Sequence, residues 1–206
     1  MTCAIPAYIL AGGQSRRFGS DKALAQIQGR TLLARNVTAL QAWTSQITIV
    51  ARKSDQYAFQ QIRVISDIQS GLGPLGGLFT ALTDATSTPV ASTSWILMTS
   101  CDLCQLQSPW LDQLLAQAQT ASPHIQAVIF QETAPPTQPS RWQPFPGLYH
   151  TSLLPMVQTR IEQNTLALWS LLESISTLAV PIPKDWPLVS QINTVADWEK
   201  YRNQQP

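Results

Sequence analysis

Short apolar runs alternate with longer segments of helical periodicity along most of this chain. That alternation limits the fold to layered α/β architectures on a parallel sheet. The strand-sized runs are 7–10, 46–51, 63–66, 95–99 and 126–131, all rich in Ile, Val or Leu. Between them, 31–43 sets Leu32, Leu33, Val37 and Leu40 on one helical face, and 74–83 opens on a proline. A third helix is expected from Pro109, with Ser108 as N-cap and Trp110, Leu111, Leu114 and Leu115 inward. The pattern weakens over 133–146, where five of the fifteen prolines gather, and a loop is expected there. A short strand at 147–150, helical stretches over 153–173, an apolar run at 178–182 and a last helix capped by Thr194 complete the reading.

The first strand runs directly into Leu10-Ala11-Gly12-Gly13-Gln14-Ser15-Arg16-Arg17-Phe18-Gly19-Ser20-Asp21-Lys22. Adjacent glycines let backbone N–H groups close on an anion with no Cβ in the way. Arg16, Arg17 and Lys22 concentrate positive charge here in a chain with thirteen Lys and Arg, which suits a polyphosphate. The loop lacks the GxxxxGK[ST] spacing of a Walker A motif.

Two later strands end in carboxylates. Asp102 follows 95–99 and Asp67 follows 63–66, so both reach the edge where open α/β sheets bind ligands. Asp102 is the metal-ligand candidate, because Mg2+ takes one or two carboxylates together with phosphate oxygens. Two other motifs carry less. Gly71-Leu72-Gly73-Pro74-Leu75-Gly76 matches GxGxxG but lies outside the first βα turn and lacks the acidic residue that should follow. Cys101 and Cys104 form a CxxC without a second pair, and an aspartate between them disfavours the thiolate that redox chemistry needs. His150, on an apolar segment, reads as structural.

Composition narrows the partners. A net charge of +1 and a charged fraction of 12% argue against nucleic acid and against a polybasic membrane anchor, leaving a small ligand. Three cysteines make no disulfide framework, and the first residues lack the pattern of a signal peptide. A cytoplasmic protein is expected.

Taken in order, the 10–22 motif, Asp67, Gly73-Pro74-Leu75-Gly76-Gly77-Leu78, Cys101-Asp102 and Gln191-Ile192-Asn193-Thr194 resemble the motif set of molybdenum cofactor guanylyltransferases, from residue 5 to about 200. The resemblance implies a three-layer Rossmann-like nucleotidyltransferase fold with a mostly parallel central sheet and helices on both faces. It implies one nucleotidyltransferase domain over 1–206, with a nucleotide-binding half at 1–105 and an acceptor-binding half at 106–206. The implied reaction transfers GMP from GTP to molybdenum-molybdopterin and releases pyrophosphate with Mg2+. Molybdoenzymes or molybdenum-insertion proteins are the protein partners such a product implies. Another nucleotidyltransferase (molybdopterin cytidylyl or sugar-phosphate) and a non-catalytic nucleotide- or cofactor-binding protein are the alternatives.

The resemblance carries nucleotide contacts to Leu10, Ala11, Gly12, Lys22, Asp67 and Asp102, with Asp102 also the Mg2+ ligand. Gly13 joins the nucleotide contacts from the loop chemistry, and Lys22, Arg16 and Asp102 are the expected catalytic residues. Arg141 and Asn193 are the acceptor-side candidates, with Arg52 and Lys53 as further candidates for the acceptor phosphate. The family pattern often reads Pro-Cys-Asp-x-Pro, where this chain has Ser100 and Cys104. It commonly supplies an asparagine near 50–53, where this chain reads Val50-Ala51-Arg52-Lys53, and Gln191 replaces the first of two late asparagines.

Overall fold

The computed structural model describes residues 3–12, 21–57, 61–87, 94–133, 140–187 and 191–203. A seven-stranded sheet forms its middle layer. Its strands are β1 (Ala7–Leu10), β4 (Ile47–Ala51), β5 (Arg63–Ser66), β6 (Trp95–Ser100), β7 (Ala127–Glu132), β8 (Arg141–His150) and β9 (Thr177–Pro181), in the order β5-β4-β1-β6-β8-β7-β9. All pairings are parallel except those of β8 with β6 and β7. A two-stranded ribbon, β2 (Gln26–Ile27) and β3 (Arg30–Thr31), stands apart.

Alternate strand residues face opposite helix layers, as the period of two requires. Ala7, Ile9, Ile49, Ala51, Leu97, Val128 and Phe130 share a core with Leu33, Val37 and Leu40 of α1 (Leu32–Gln41) and with Trp110, Leu111 and Leu114 of α3 (Ser108–Thr120). Tyr8, Val50, Ile96, Met98, Ala127 and Ile129 share the other with α2 (Gly73–Ser87), α4 (Leu154–Glu162) and α5 (Leu168–Ser174). Fully burying each Val, Leu, Ile, Met or Phe among them contributes roughly 1.5–3 kcal/mol. A third cluster of Ile27, Leu32, Cys104, Ile192 and Tyr201 ties the ribbon to α6 (Val195–Asn203). Leu32 therefore leaves the α1 face expected for it.

The expected strands recur with ends shifted by a residue at most, save one. The loop expected over 133–146 is strand from Arg141 onward. The prolines are accommodated by a break in register: Ile129 pairs with Gly147 but Phe130 with Gln143, so Pro144-Phe145-Pro146 bulges out of the ladder. Two residues without N–H groups thus avoid positions that must donate. At the α3 start, Gln107 is the N-cap and makes no side-chain cap bond, so Ser108 is the first helical residue instead of the cap. The expected cap of α6 is present: Thr194 Oγ1 accepts from Asp197 N at 3.1 Å, and Asp197 Oδ2 accepts from Thr194 N at 2.8 Å.

The strand order reverses between β1 and β6. The chain builds β4 and β5 outward on one side of β1, crosses back through α2, and lays β6 on the other. A crevice at the carboxyl ends of these two strands is where such sheets bind ligands. Among the described residues, no helix is long and apolar enough to cross a membrane.

Candidate active site

Leu10 and Ser100 are register partners across that reversal, and Cys101 N donates to Leu10 O at 3.0 Å. The end of β1 therefore emerges beside the turn that carries Asp102. Ala11 is still tied to the sheet through its N–H to Val50 O at 2.8 Å, and Gly12 follows it beyond the strand. A β-carbon on Gly12 would stand 2.9 Å from Asp67 Oδ2 and 3.6 Å from Arg52 N, so any larger residue would displace the Asp67 carboxylate. Gly77 acts similarly behind the strand: a β-carbon there would meet Leu10 Cδ2 at 2.6 Å. The Gly-Pro-Leu-Gly-Gly block thus lets α2 approach the end of β1.

The centre of the site is Lys22 with Asp102. Lys22 begins a single 3-10 turn, Lys22–Leu24, capped by Asp21, whose Oδ1 accepts from Ala23 N at 3.0 Å. Lys22 Nζ lies 3.0 Å from Asp102 Oδ2, with the two side chains 14% and 15% exposed, so the pair is shielded yet reachable. The same ammonium donates to Ile192 O at 3.2 Å and to Asn193 Oδ1 at 3.3 Å. Ser100 Oγ donates to the other Asp102 oxygen at 2.6 Å. Where the family pattern often has proline, this chain supplies a hydroxyl that orients the carboxylate.

The late motif is brought to this centre by backbone pairing. Leu103 bridges Gln191, and Ile192 N donates to Asp102 O at 3.0 Å. Gln191 in place of asparagine keeps that bridge, since it uses main-chain groups. On the opposite side, the buried Asn36 of α1 places its Nδ2 within reach of Cys101 O at 3.4 Å and Leu103 O at 3.3 Å, bracketing Asp102.

Asp67 sits differently. It continues β5, with its N–H donating to Ala51 O at 2.7 Å, and its Oδ1 is buried with no hydrogen-bond partner among the described residues. Burial raises its pKa above the ordinary carboxylate value, against opposing contributions from a Thr80 hydrogen bond and the Arg52 guanidinium. Arg52 is exposed and donates through Nε to Gly12 O at 3.1 Å, taking the place where the family pattern has an asparagine.

The remaining expectations divide clearly. Leu10, Ala11, Gly12, Lys22, Asp67, Asp102 and Asn193 gather at one edge of the sheet; Gly13, Arg16 and Arg17 lie outside the described residues. Lys53 is exposed next to Arg52. Arg141 opens β8 opposite Glu132, at the same sheet edge but in the other half of the chain. Burial, with Asp102 next to it, holds the Cys101 thiol far above its usual range; burial likewise pushes Cys104 up to about 12. Both shifts disfavour the thiolate, the form that redox chemistry uses. His150 caps a turn, its Nδ1 accepting from Ser152 N at 3.2 Å.

Sequence reasoning missed Ser100, Asn36 and Tyr57. Ser100 carried one signal, a short hydroxyl residue two positions before the aspartate. Asn36 is a single polar residue within the amphipathic 31–43 segment, with no motif around it, yet it is 2% exposed. Tyr57 follows β4 by six residues, outside every motif, yet its hydroxyl lies 2.7 Å from Asp21 Oδ2 and 3.1 Å from Ala11 O.

Among the described residues no group of three His, Cys, Asp or Glu could cage a metal ion. The donor set fits instead a hard cation held through Asp102 and completed by water and ligand oxygens, the usual habit of Mg2+. Each Asp102 oxygen keeps a lone pair beyond its Ser100 or Lys22 contact.

Comparison with known proteins gives a consistent picture. Residues 7–178 match the model of the MobA-like NTP transferase domain. A probable molybdenum cofactor guanylyltransferase of Halalkalibacterium halodurans is 36% identical over 84% of this chain and 83% of its own length. One of Deinococcus radiodurans is 38% identical over 74% of this chain and 71% of its own. The crystal structure of molybdopterin-guanine dinucleotide biosynthesis protein A from Archaeoglobus fulgidus superposes with a TM-score of 0.77, covering 97% of each chain at 20% identity. At that identity the likeness speaks for the fold alone.

Proposed function

The chain belongs to the MobA-like NTP transferase family, and from that premise we propose that it is a molybdenum cofactor guanylyltransferase, joining the GMP of GTP to molybdenum-molybdopterin. The observation that carries the reading is the Lys22–Asp102 pair at the β1–β6 reversal, on the sheet edge where β1 leads into Gly12. It sets a cation, a carboxylate and a close-approach glycine at one sheet edge, which suits a triphosphate with its counter-ion.

In the proposed reaction the terminal phosphate of molybdopterin attacks the α-phosphorus of GTP. A new phosphorus–oxygen bond forms, the α–β bridging bond breaks, and pyrophosphate leaves with that electron pair. The nucleophile is already an anion and needs no base. The chain's work is therefore positioning and charge neutralisation. Gly12 N–H and its neighbours hold phosphate oxygens. Lys22 moves its charge from Asp102 toward the transferring and leaving phosphates, and Arg16 shares that role. Asp102, oriented by Ser100, would hold Mg2+, which would supply positive charge to offset that of the phosphates. Asp67 contacts the nucleoside end, beside Arg52.

The first half of the chain in this reading takes the nucleotide and the second half, with Arg141 and Asn193, the acceptor. Small-molecule substrates and the cytoplasm are its setting; molybdoenzymes or molybdenum-insertion proteins take up its product. The test is pyrophosphate release and dinucleotide formation from molybdenum-molybdopterin with Mg2+ and competing GTP and CTP. GTP should be preferred by about 10- to 1000-fold in kcat/KM, since unpaired polar groups in a purine-shaped site reject the smaller base. Equal use of CTP would defeat the guanylyl assignment, and binding without pyrophosphate release would defeat the enzyme.

A further inference from the structure

Tyr57 is among the largest fully buried side chains of the molecule, and no role above uses it. Its hydroxyl donates to Asp21 Oδ2 at 2.7 Å and shares its hydrogen with Ala11 O at 3.1 Å. Gln56 Nε2 closes the group from the other side, donating to the Tyr57 oxygen at 3.0 Å and to Asp21 Oδ2 at 3.1 Å. A tyrosine that served only packing would satisfy its hydroxyl with one convenient carbonyl. This one joins two separate pieces of the site.

Each contact has a geometric consequence. The peptide unit is planar, with its C=O and N–H pointing in opposite directions, so holding Ala11 O from the core side turns Gly12 N–H away from the core. Asp21 is the cap of the turn that starts at Lys22: while Oδ2 is held by Tyr57 and Gln56, Oδ1 remains on Ala23 N. We propose that Tyr57 is a positioning residue whose hydroxyl sets the Gly12 N–H and the Lys22 turn together for the phosphates of a nucleoside triphosphate. This rests on the reading of the crevice as a nucleotide site, but not on which base is bound. Burial, together with the hydrogen bond to Asp21, pushes the phenol well above its usual range and keeps it a donor.

The test compares Tyr57→Phe, Asp21→Ala, their double variant and Asp21→Asn. Tyr57→Phe keeps the ring and removes the hydroxyl. It should bind GTP about ten-fold more weakly, the scale of losing a hydrogen bond to a charged partner. Asp21→Ala should do the same, and the double variant should be little worse than either, because both break one unit. Asp21→Asn can keep its one amide oxygen on Ala23 N and turn its Nδ2 to donate to the Tyr57 oxygen and to a turned Gln56 amide, leaving the Tyr57 hydrogen to Ala11 O, so it should bind within about three-fold of wild type. Backbone amide exchange at Gly12 and Ala23 should quicken in Tyr57→Phe without any nucleotide present. A merely structural role would lower the unfolding midpoint while leaving affinity per folded molecule and those two amides unchanged. Wild-type affinity and exchange in Tyr57→Phe, or additive losses in the double variant, would overturn the proposal. If Tyr57→Phe does not fold, the contrast of Asp21→Ala with Asp21→Asn decides, with equal GTP affinities counting against the unit. A wild type that binds neither GTP nor CTP sinks the nucleotide reading, and the amide exchange then still decides whether Tyr57 sets Gly12 and the Lys22 turn.

Discussion

Asp67 and Asp102 occupy equivalent places, each just beyond a parallel strand at the carboxyl edge of the sheet, yet their surroundings are opposite. Asp102 has both oxygens engaged, one by the Lys22 ammonium and one by the Ser100 hydroxyl. Asp67 keeps a buried oxygen without a partner among the described residues, and burial raises its pKa. The first is a charge already compensated by a neighbouring cation and a hydroxyl. The second is a charge held at a cost, which suits a group waiting for a donor from a ligand. Position on a strand end gives access; neighbours decide the chemistry.

Neutralising the two carboxylates should therefore have unlike results. Asp102→Asn should lower turnover by about three orders of magnitude, the upper end of the cost of removing one preorganised electrostatic element. Asp67→Asn should act mainly on GTP affinity, weakening it by about ten-fold with a smaller change in kcat. Steady-state kinetics on both variants separates the two, and a kcat collapse in Asp67→Asn with near-normal Asp102→Asn would reverse the assignment.

Lys22 sharpens the contrast from the other side. Lys22→Ala should cut turnover by about two orders of magnitude, because charge building on the leaving phosphates loses its counterpart. Its folding should change little. Turnover at the wild-type level in a folded Lys22→Ala protein would remove Lys22 from the mechanism.

The smallest effect is in stability. Asp67 has a raised pKa in the folded state, so ionising it costs stability: the cost is absent below the ordinary carboxylate value of about 3.9 and complete above the raised one. Asp67→Asn should therefore gain on wild type in thermal unfolding as pH rises through that window, by a few degrees at most, and then hold a constant lead. A flat pH difference for Asp67→Asn would show that its buried oxygen is compensated after all.

Much of this contrast was legible before the fold was known. The strand order cannot be read from residues, but strand-end aspartates after Val64-Ile65-Ser66 and after the 95–99 run follow from apolar runs that stop abruptly. Gly12 and Lys22 were legible because glycine and cation chemistry is local. Unreadable were contacts made across long stretches of chain: Ser100 aside, Asn36 and Tyr57 reach the site only through tertiary packing, and nothing in their own neighbourhoods marks them. The 141–146 stretch misled for a local reason, since prolines argue against a strand unless a bulge takes them out of the ladder. Pro144 and Pro146 do that here.

The central claim, that Asp102 and not Asp67 holds the metal, is tested most directly by GTP affinity measured with and without Mg2+. Wild type should bind GTP more tightly with Mg2+. Asp102→Asn should lose that increment while binding metal-free GTP as well as wild type or slightly better, since a negative charge facing the phosphates has gone. An Asp102→Asn protein that retains the full Mg2+ increment, with Asp67→Asn losing it, would contradict the account.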